Sequence, residues 1–387
     1  MTATHRITAR GWVVLGAAAA MALGAFLFGI QELYPVAAAS ATLVVVSRVW
    51  VQSRRWDLDV GRHVHPVRVP AGSEARVELS VDNIGRVSTP VIAAADPFDH
   101  GRRWARFAIA PMHPGENRKA SYRLPTNRRG VYHLGPLELK ITDPFGIAEA
   151  MKKAAPDTSL TVHPRVDKVA VRSASSHRDD DRLPLPVIGR GGNEFYALRE
   201  YVPGDDLRHV HWPSTARLDD LVVRQPEHLR RGRVTVAADL RDSVHNPDTV
   251  EAVLSAVASL AVSSVNSGLQ VRVVTTGGMD SGHGSGRAHA PAILDGLAAA
   301  TPHRTSGVPN PFKVVGTVDP VVLVTTDLAS DTDIESAVGL GGPSGTTVVI
   351  FESGGDRAAD GGRQRRRSAV RVPPGGSFRT AWEVATC

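Results

Sequence analysis

The chain opens on two long apolar runs and then changes its hydrophobic period twice. Between Gly11 and Ile30 the sequence GWVVLGAAAAMALGAFLFGI holds no charged residue, and about 20 residues is the length that crosses a hydrocarbon core as helix. A second run, Leu33 to Val51, is interrupted only by Arg48 near its end, where a long side chain can snorkel to the interface. Gln31 and Glu32 alone join the runs, and so short a turn forces an antiparallel hairpin with both outer ends on one side of the bilayer. Arg6, Arg10, Arg48, Arg54 and Arg55 flank those ends, while the turn has no Lys or Arg. The positive-inside bias then places the ends in the cytoplasm. Trp12, Tyr34, Trp50 and Trp56 fall near the expected interfaces. The rival reading, a signal peptide cleaved at Ala37, Ala38 and Ala39, would leave ATLVVVSRVWV as a bare apolar N-terminus; the hairpin accounts for that run. Residues 1–10 are thus expected as a cytoplasmic N-terminus and 11–55 as a transmembrane helical hairpin.

Over residues 56–170 the period shortens to two. ARVELSVDN, ARFAIAPM, KASYRLP and LELKITD alternate apolar and polar positions between Gly, Pro, Asn and Asp, which predicts antiparallel strands in a β-sandwich-like domain. The immunoglobulin architecture is the nearest template, without the Cys pair or central Trp of a true immunoglobulin domain. NRRGVYHL (127–134) and DPFGI (143–147) read as rigid turns with core aromatics. Residues 171–190 contain the polar, proline-bearing stretch SASSHRDDDRLPLP, a linker by composition.

In the remainder, 191–387, strands alternate with helices. RVTVAADL (233–240) is a buried-type strand. Asn246 and Pro247 start a helix whose apolar positions Val250, Val253, Leu254, Val257, Ala261 and Val265 follow the 3.6 period. Strands are expected over 269–275, 320–326 and 346–351, with helices over 290–300 and 333–338. This order predicts an α/β doubly wound domain with helices on both faces of a parallel sheet. After its first strand there is neither G-x-G-x-x-G nor G-x-x-x-x-G-K-[ST], which argues against dinucleotide and P-loop nucleotide binding.

Composition narrows the classes further. The net charge is +6, but Arg is scattered and aromatics make up only 5%, so specific nucleic-acid binding is not expected. The basic run Arg363–Arg367 reads as an exposed loop, with a membrane-surface or nucleic-acid patch as the functional alternative. Cys387 is the single cysteine, which excludes an intrachain disulfide and a multi-cysteine metal site.

The densest mixture of charges and aromatics is Gly192 to Leu229. There Arg199, Glu200, Asp205, Asp206, Arg208 and Arg217 surround Phe195, Tyr201 and Trp212. Charges set against apolar surface need partners, so an interlocked ion-pair network is expected, with a partner-binding surface as the functional alternative. Val202-Pro203-Gly204-Asp205 suits a tight turn, with Asp205 or Asp206 capping a short helix. A carboxylate pair for acid-base work, or a metal on His209 and His211, is the weaker alternative, since a lone H-x-H needs at least one further ligand.

This run, Phe195, Leu198-Arg199-Glu200-Tyr201, Pro203-Gly204-Asp205-Asp206, Arg208, Trp212 and Ala216-Arg217, resembles the signature of domain-of-unknown-function family 58. The resemblance extends to Arg129-Gly130-Val131-Tyr132, Leu134-Gly135-Pro136, Asp143-Pro144-Phe145-Gly146 and the two N-terminal helices. It implies a membrane-anchored chain with a sandwich-like region and a von Willebrand factor A-like domain, encoded beside a MoxR-type AAA+ ATPase. No activity is implied. Such α/β domains end their first strand in D-x-S-x-S, which holds a divalent cation. The matching residues here are Asp239, Arg241 and Ser243, with Asp327 as the later T-D element. Arg241 brings a positive charge where an oxygen-rich shell is required. The resulting expectation is a multi-pass cell-membrane protein with cytoplasmic domains and no cofactor. It would be a non-enzymatic adaptor or scaffold working with the ATPase in assembly or maintenance of envelope or membrane complexes. The alternative is a divalent-metal-dependent binding protein or hydrolase using Asp239, Ser243 and Asp327.

Overall fold

The structure, a computed structural model, describes residues 4–53, 57–99, 101–171, 196–201, 210, 212, 215–216, 221–226, 232–304, 319–338, 346–354 and 369–386. The chain divides into two compact units: residues 1–127 with 131–162, and 128–130 with 163–387.

The first unit begins with strand β1 (Thr4–Ile7) and helices α1 (Ala9–Phe28) and α2 (Leu33–Ser53). Thr8 caps α1, its hydroxyl accepting from the Gly11 amide at 3.1 Å, and Gly29 closes the helix in the left-handed region that a glycine adopts freely. Both helices are long and apolar enough to cross a membrane. Ten strands follow: β2 (Leu58–His65), β3 (Arg68–Pro70), β4 (Ala75–Asn83), β5 (Ile92–Phe98), β6 (Arg103–Ile109), β7 (Asn117–Leu124), β8 (Gly130–Leu134), β9 (Leu137–Thr142), β10 (Ala148–Ala155) and β11 (Thr158–His163). They form a three-stranded sheet, β2-β4-β7, and an eight-stranded sheet, β1-β10-β9-β5-β8-β11-β3 with β6 on β5. On β4 the period-two pattern is realised directly: Ala75, Val77, Leu79, Val81 and Asn83 are buried and the residues between them are not.

Two features of this unit were not foreseen. Residues 4–7, to which the sequence assigns no element, pair antiparallel with β10 from Thr4↔Met151 to Ile7↔Ala148. A four-residue strand is too short to show alternation and gains its stability from the sheet it joins. Phe145, expected as a core aromatic, is 62% exposed; the turn is held instead by the buried Asp143, whose carboxylate accepts from the amides of Phe145, Ile147 and Ala148.

Between the sheets lies a buried ion pair. Arg62 on β2 meets Asp96 on β5 at 2.8 Å, and Tyr122 on β7 donates to the other Asp96 oxygen at 2.6 Å. Gly135 leaves room for this guanidinium, since a Cβ there would come within 2.7 Å of it.

The second unit contains the antiparallel pair β12 (Tyr196–Glu200) and β13 (Val222–Pro226) and a parallel sheet. The latter consists of β14 (Arg233–Ala238), β15 (Gln270–Thr275), β16 (Val321–Thr326), β17 (Thr346–Phe351) and β18 (Ala369–Val372), in the order β15-β14-β16-β17-β18. Its helices are α3 (Pro247–Asn266), α4 (His289–Ala299), α5 (Asp331–Val338) and α6 (Phe378–Thr386). Asn246 and Thr249 form a reciprocal capping box at the start of α3, with Pro247 at the first helical position. This helix is as hydropathic as α2, yet 61% of its apolar window is buried against 22% for α2. It is therefore a core helix, packed against the β14 side of the sheet with Ile293, Phe378 and Trp382, while Ile334 of α5 joins the cluster on the opposite face. The Trp382 indole donates to the Ala170 carbonyl at 2.8 Å. Arg129 donates to the carbonyls of Leu297 and Ala300 at the carboxyl end of α4 and pairs with Glu251 at 2.6 Å.

Candidate functional site

In open parallel sheets the carboxyl ends of the strands form the ligand crevice, and here that position is occupied by charge. Asp239 follows β14 directly and is fully buried. Arg241, two residues on, curls back over it: Nε donates to Oδ1 at 3.0 Å and Nη2 to Oδ2 at 2.7 Å. The Arg241 amide adds a bond to Oδ1 at 3.2 Å, and the Thr325 hydroxyl on β16 adds one to Oδ2 at 3.0 Å. A carboxylate offers about four lone-pair positions, and all four are used. The remaining arm of the guanidinium, Nη1, donates to Asp333 Oδ2 in the first turn of α5 at 2.7 Å. The three side chains differ in access: Asp239 is sealed, Arg241 is 13% exposed and Asp333 26%.

Neighbouring residues fix this arrangement. After Arg241 a short 3-10 turn, Asp242–Val244, brings His245 under the strand end, where it donates from Nε2 to the Asp239 carbonyl at 2.5 Å. The Thr326 hydroxyl donates to the Val244 carbonyl. Burial holds the His245 pKa below its ordinary value, outweighing the nearby Asp239 carbonyl and carboxylate. Hydrogen bonding to Asp239 leads a rise in the Arg241 pKa above its already high value. At Asp333 burial alone would raise the carboxyl, but hydrogen bonds from Arg241 and Ser330 bring it below the usual range.

A divalent cation at this strand end would need Asp239, Ser243 and Asp327 to face one point. The donor set does not fit. Both Asp239 oxygens are taken up by Arg241, Ser243 is exposed on the 3-10 turn, and the Asp327 carboxylate accepts from the Ser353 amide at 3.0 Å. Among the described residues no group of three or more His, Cys, Asp or Glu is placed to hold a metal. The guanidinium sits where the positive charge would be required.

The charged signature is only partly within the described residues. Arg199 and Glu200 lie on β12, opposite Val223 and Val222 of β13, and the Tyr201 amide donates to the Leu221 carbonyl at 2.8 Å. Trp212 is 65% exposed. Gly204, Asp205, Asp206, Arg208 and Arg217 lie outside the described residues, as do the linker from 172 and the Arg363–Arg367 run. Asp333 was missed in the sequence, where it reads only as an acidic residue in a first helical turn; the signal that could have found it is the need of Arg241 for a second carboxylate.

An uncharacterized protein, YeaD, of Bacillus subtilis (strain 168) is 24% identical over 158 residues, 41% of this chain. The chain spans 39% of that relative's length. Among solved structures, the CARDB domain of the PF1109 protein from Pyrococcus furiosus is similar at 16% identity and a TM-score of 0.21, covering 27% of this chain and 94% of that domain. A β-glucosidase from Erythrobacter marinus gives 14% and 0.19, covering 27% of this chain and 15% of the enzyme. Residues 197–351, which contain Asp239, Arg241 and Asp333, match the family model described as protein of unknown function DUF58.

Proposed function

We propose that this chain is a membrane-anchored, non-enzymatic adaptor that presents the strand-end crevice of its α/β unit to a protein partner. The observation that carries the reading is the Arg241 guanidinium, bonded through two of its nitrogens to the buried Asp239 and through the third to the partly exposed Asp333. A carboxylate with all its lone pairs engaged is a poor general base and a poor metal ligand. A guanidinium held in a fixed orientation with one accessible carboxylate partner is suited to recognising an acidic side chain. In this reading the α/β unit is von Willebrand factor A-like, with an internal cation in place of a metal. The hairpin is a two-pass anchor with its basic outer ends in the cytoplasm. The family resemblance makes a MoxR-type AAA+ ATPase the partner to test, in assembly or maintenance of membrane complexes.

The test is co-purification of the tagged full chain with that ATPase from crosslinked membranes and from detergent. The wild type retains the ATPase, Arg241→Ala and Asp239→Ala lose it, and absence of the ATPase from both wild-type samples rejects the partner. Reporter fusions after Ile30 and after Cys387 settle the topology; an extracytoplasmic C-terminus rejects the orientation and the partner together.

A further inference from the structure

Both outer ends of the hairpin enter the same end of the β-sandwich. The α2 helix ends at Ser53, four residues before Asp57; its Val51 is buried in the sandwich core. Leu58, the first residue of β2, pairs with Asn83, and the next residue, Ile84, donates its amide to the Asp57 carbonyl at 2.9 Å. At the start of α1, Ile7 pairs with Ala148. The Thr8 cap binds the 143–147 turn, its amide to the Ile147 carbonyl at 2.9 Å and its hydroxyl to the Gly146 carbonyl at 2.6 Å. The loop 84–91 closes on this same edge. The β5–β9 pairing Ala93↔Lys140 leads, two residues further along each strand, to Val91 and to Thr142, the residue before Asp143.

The apolar surface of the sandwich is distributed unevenly between its ends. Among the described residues 57–162 six large apolar side chains are exposed: Val67, Ile84, Val87, Val91, Trp104 and Phe145. Val67 follows the far end of β2, and Trp104 pairs with Pro97 near the far end of β5. The other four, Ile84, Val87, Val91 and Phe145, all project from the rim at the hairpin root. Phe145 is the most telling, because three amide bonds to the buried Asp143 hold its turn rigid with the ring left outside. Two cations stand among them: exposed Arg86 lies between Ile84 and Val87 in sequence, and the Arg10 side chain lies beside Gly146.

We propose that this rim is a second membrane contact, with Ile84, Val87, Val91 and Phe145 seated in the headgroup layer of the bilayer that the hairpin crosses, and with Arg10 and Arg86 at the lipid phosphates. The proposal rests on the reading of α1 and α2 as the anchor. Apolar side chains interleaved with basic ones are the composition of an interfacial contact, which gains from buried apolar area and from anionic lipid together. The bilayer is the occupant because α1 and α2 leave the sandwich at this rim. The turn also suits that depth, since its tightest amides are bonded to Asp143 and the headgroup layer is wet enough for the rest. In consequence the β unit lies on the membrane surface rather than hanging from it by a flexible stalk.

The test uses the full chain with Cys387→Ser and one new cysteine at a time, Phe145→Cys, Val87→Cys, Val67→Cys or Phe26→Cys. Each is labelled with an environment-sensitive fluorophore and reconstituted into phosphatidylcholine–phosphatidylglycerol vesicles. Lipids carrying a nitroxide near the headgroup are expected to quench most emission at 145 and 87 and little at 67, while a nitroxide deep in the acyl chain quenches the label at 26. If 26 is quenched and 145 and 87 behave like 67, the rim contact is wrong and the anchor stands. If 26 is not quenched by any lipid, both fail. Labels at 145 and 87 that are shielded from aqueous iodide yet untouched by lipid quenchers would mean that a second copy or another protein covers the rim, and the proposal falls.

Discussion

Two arginine–aspartate pairs, one in each unit, are built from the same ions and do different things. In the β unit the Arg62 and Asp96 side chains are 2% and 0% exposed, and the pair joins the two sheets. Arg62 also donates to the Leu134 carbonyl at 3.1 Å, the Thr158 hydroxyl at 3.0 Å and the Pro156 carbonyl, and Tyr122 completes the Asp96 carboxylate. In the α/β unit Asp239 is sealed as completely, but its partner is 13% exposed and reaches a carboxylate at 26%. Burial of an ion pair is therefore no guide to its role, because desolvation can cancel the Coulombic gain in either case. What separates them is the far side of the arginine: at Arg62 protein carbonyls and a hydroxyl, at Arg241 a carboxylate that water and a partner can reach.

The largest effect expected is at the sealed pair. Asp96→Ala leaves the Arg62 guanidinium buried without its counter-ion, which costs about 3–5 kcal/mol, read by chemical denaturation of the detergent-solubilised chain. Tyr122→Phe removes only one donor to Asp96 and costs about 1–2 kcal/mol. A loss at Asp96 no greater than that at Tyr122 would mean the pair is wetter than the structure has it, and the contrast would collapse.

Next comes the open pair. Arg241→Ala strands the buried Asp239 with one hydroxyl and one amide donor, but water can enter beside it, so a loss of about 2–3 kcal/mol is expected, below that at Asp96. Arg241→Ser also frees carboxylate lone pairs. Millimolar manganese should then raise the melting temperature of the variant and leave the wild type unmoved. A wild-type response would show that the guanidinium does not block the site. Asp333→Asn keeps one acceptor for Arg241 at a partly exposed position and costs about 0.5–1.5 kcal/mol. If the proposed ATPase partner is right, the sharper readout of Asp333→Asn is ATPase retention, which should fall while the chain still folds.

These differences were unequally visible in the sequence. The hairpin, the strand alternation of β4 and the capping of α3 by Asn246 were legible because each depends on neighbours within a few residues. Strand β18 and helix α6 were not assigned. The four residues of β18 carry no period, and α6 is fixed by Trp382 reaching Ala170, more than two hundred positions away. Asp239 and Arg241 stood out through their match to the D-x-S-x-S element that the family resemblance implies, whereas Asp333 and the Arg62–Asp96–Tyr122 group are brought together only by sheet topology. Phe145 was misread because an aromatic in a Pro-Gly turn carries no sign of which way it faces.

The smallest effect is a difference in acid response, and its sign distinguishes the two units. Asp333 and Asp280, the latter paired with Arg272 at 2.6 Å, are depressed in the folded α/β unit. At Asp280 the hydrogen bond from Arg272 leads, against burial, and the carboxyl falls to about 2. A depressed carboxyl contributes stability that is complete above its unfolded value, about 3.9, and is lost as pH falls toward the folded one. For Asp280 that window is about pH 4 to 2, and Asp333 acts in the same direction. Asp96 has the opposite sign: burial, stronger than its bonds to Tyr122 and Arg62, raises its carboxyl. Protonating a group whose folded pKa is raised favours the folded state, so falling pH does not weaken the β unit through Asp96. Limited proteolysis between pH 5 and 2.5 should therefore open the α/β unit first, and Asp280→Asn should flatten its acid limb without altering that of the β unit. Earlier cleavage of the β unit would mean that Asp96 is held ionised by Arg62 more strongly than burial opposes it, and the sealed pair would then be the acid-sensitive one.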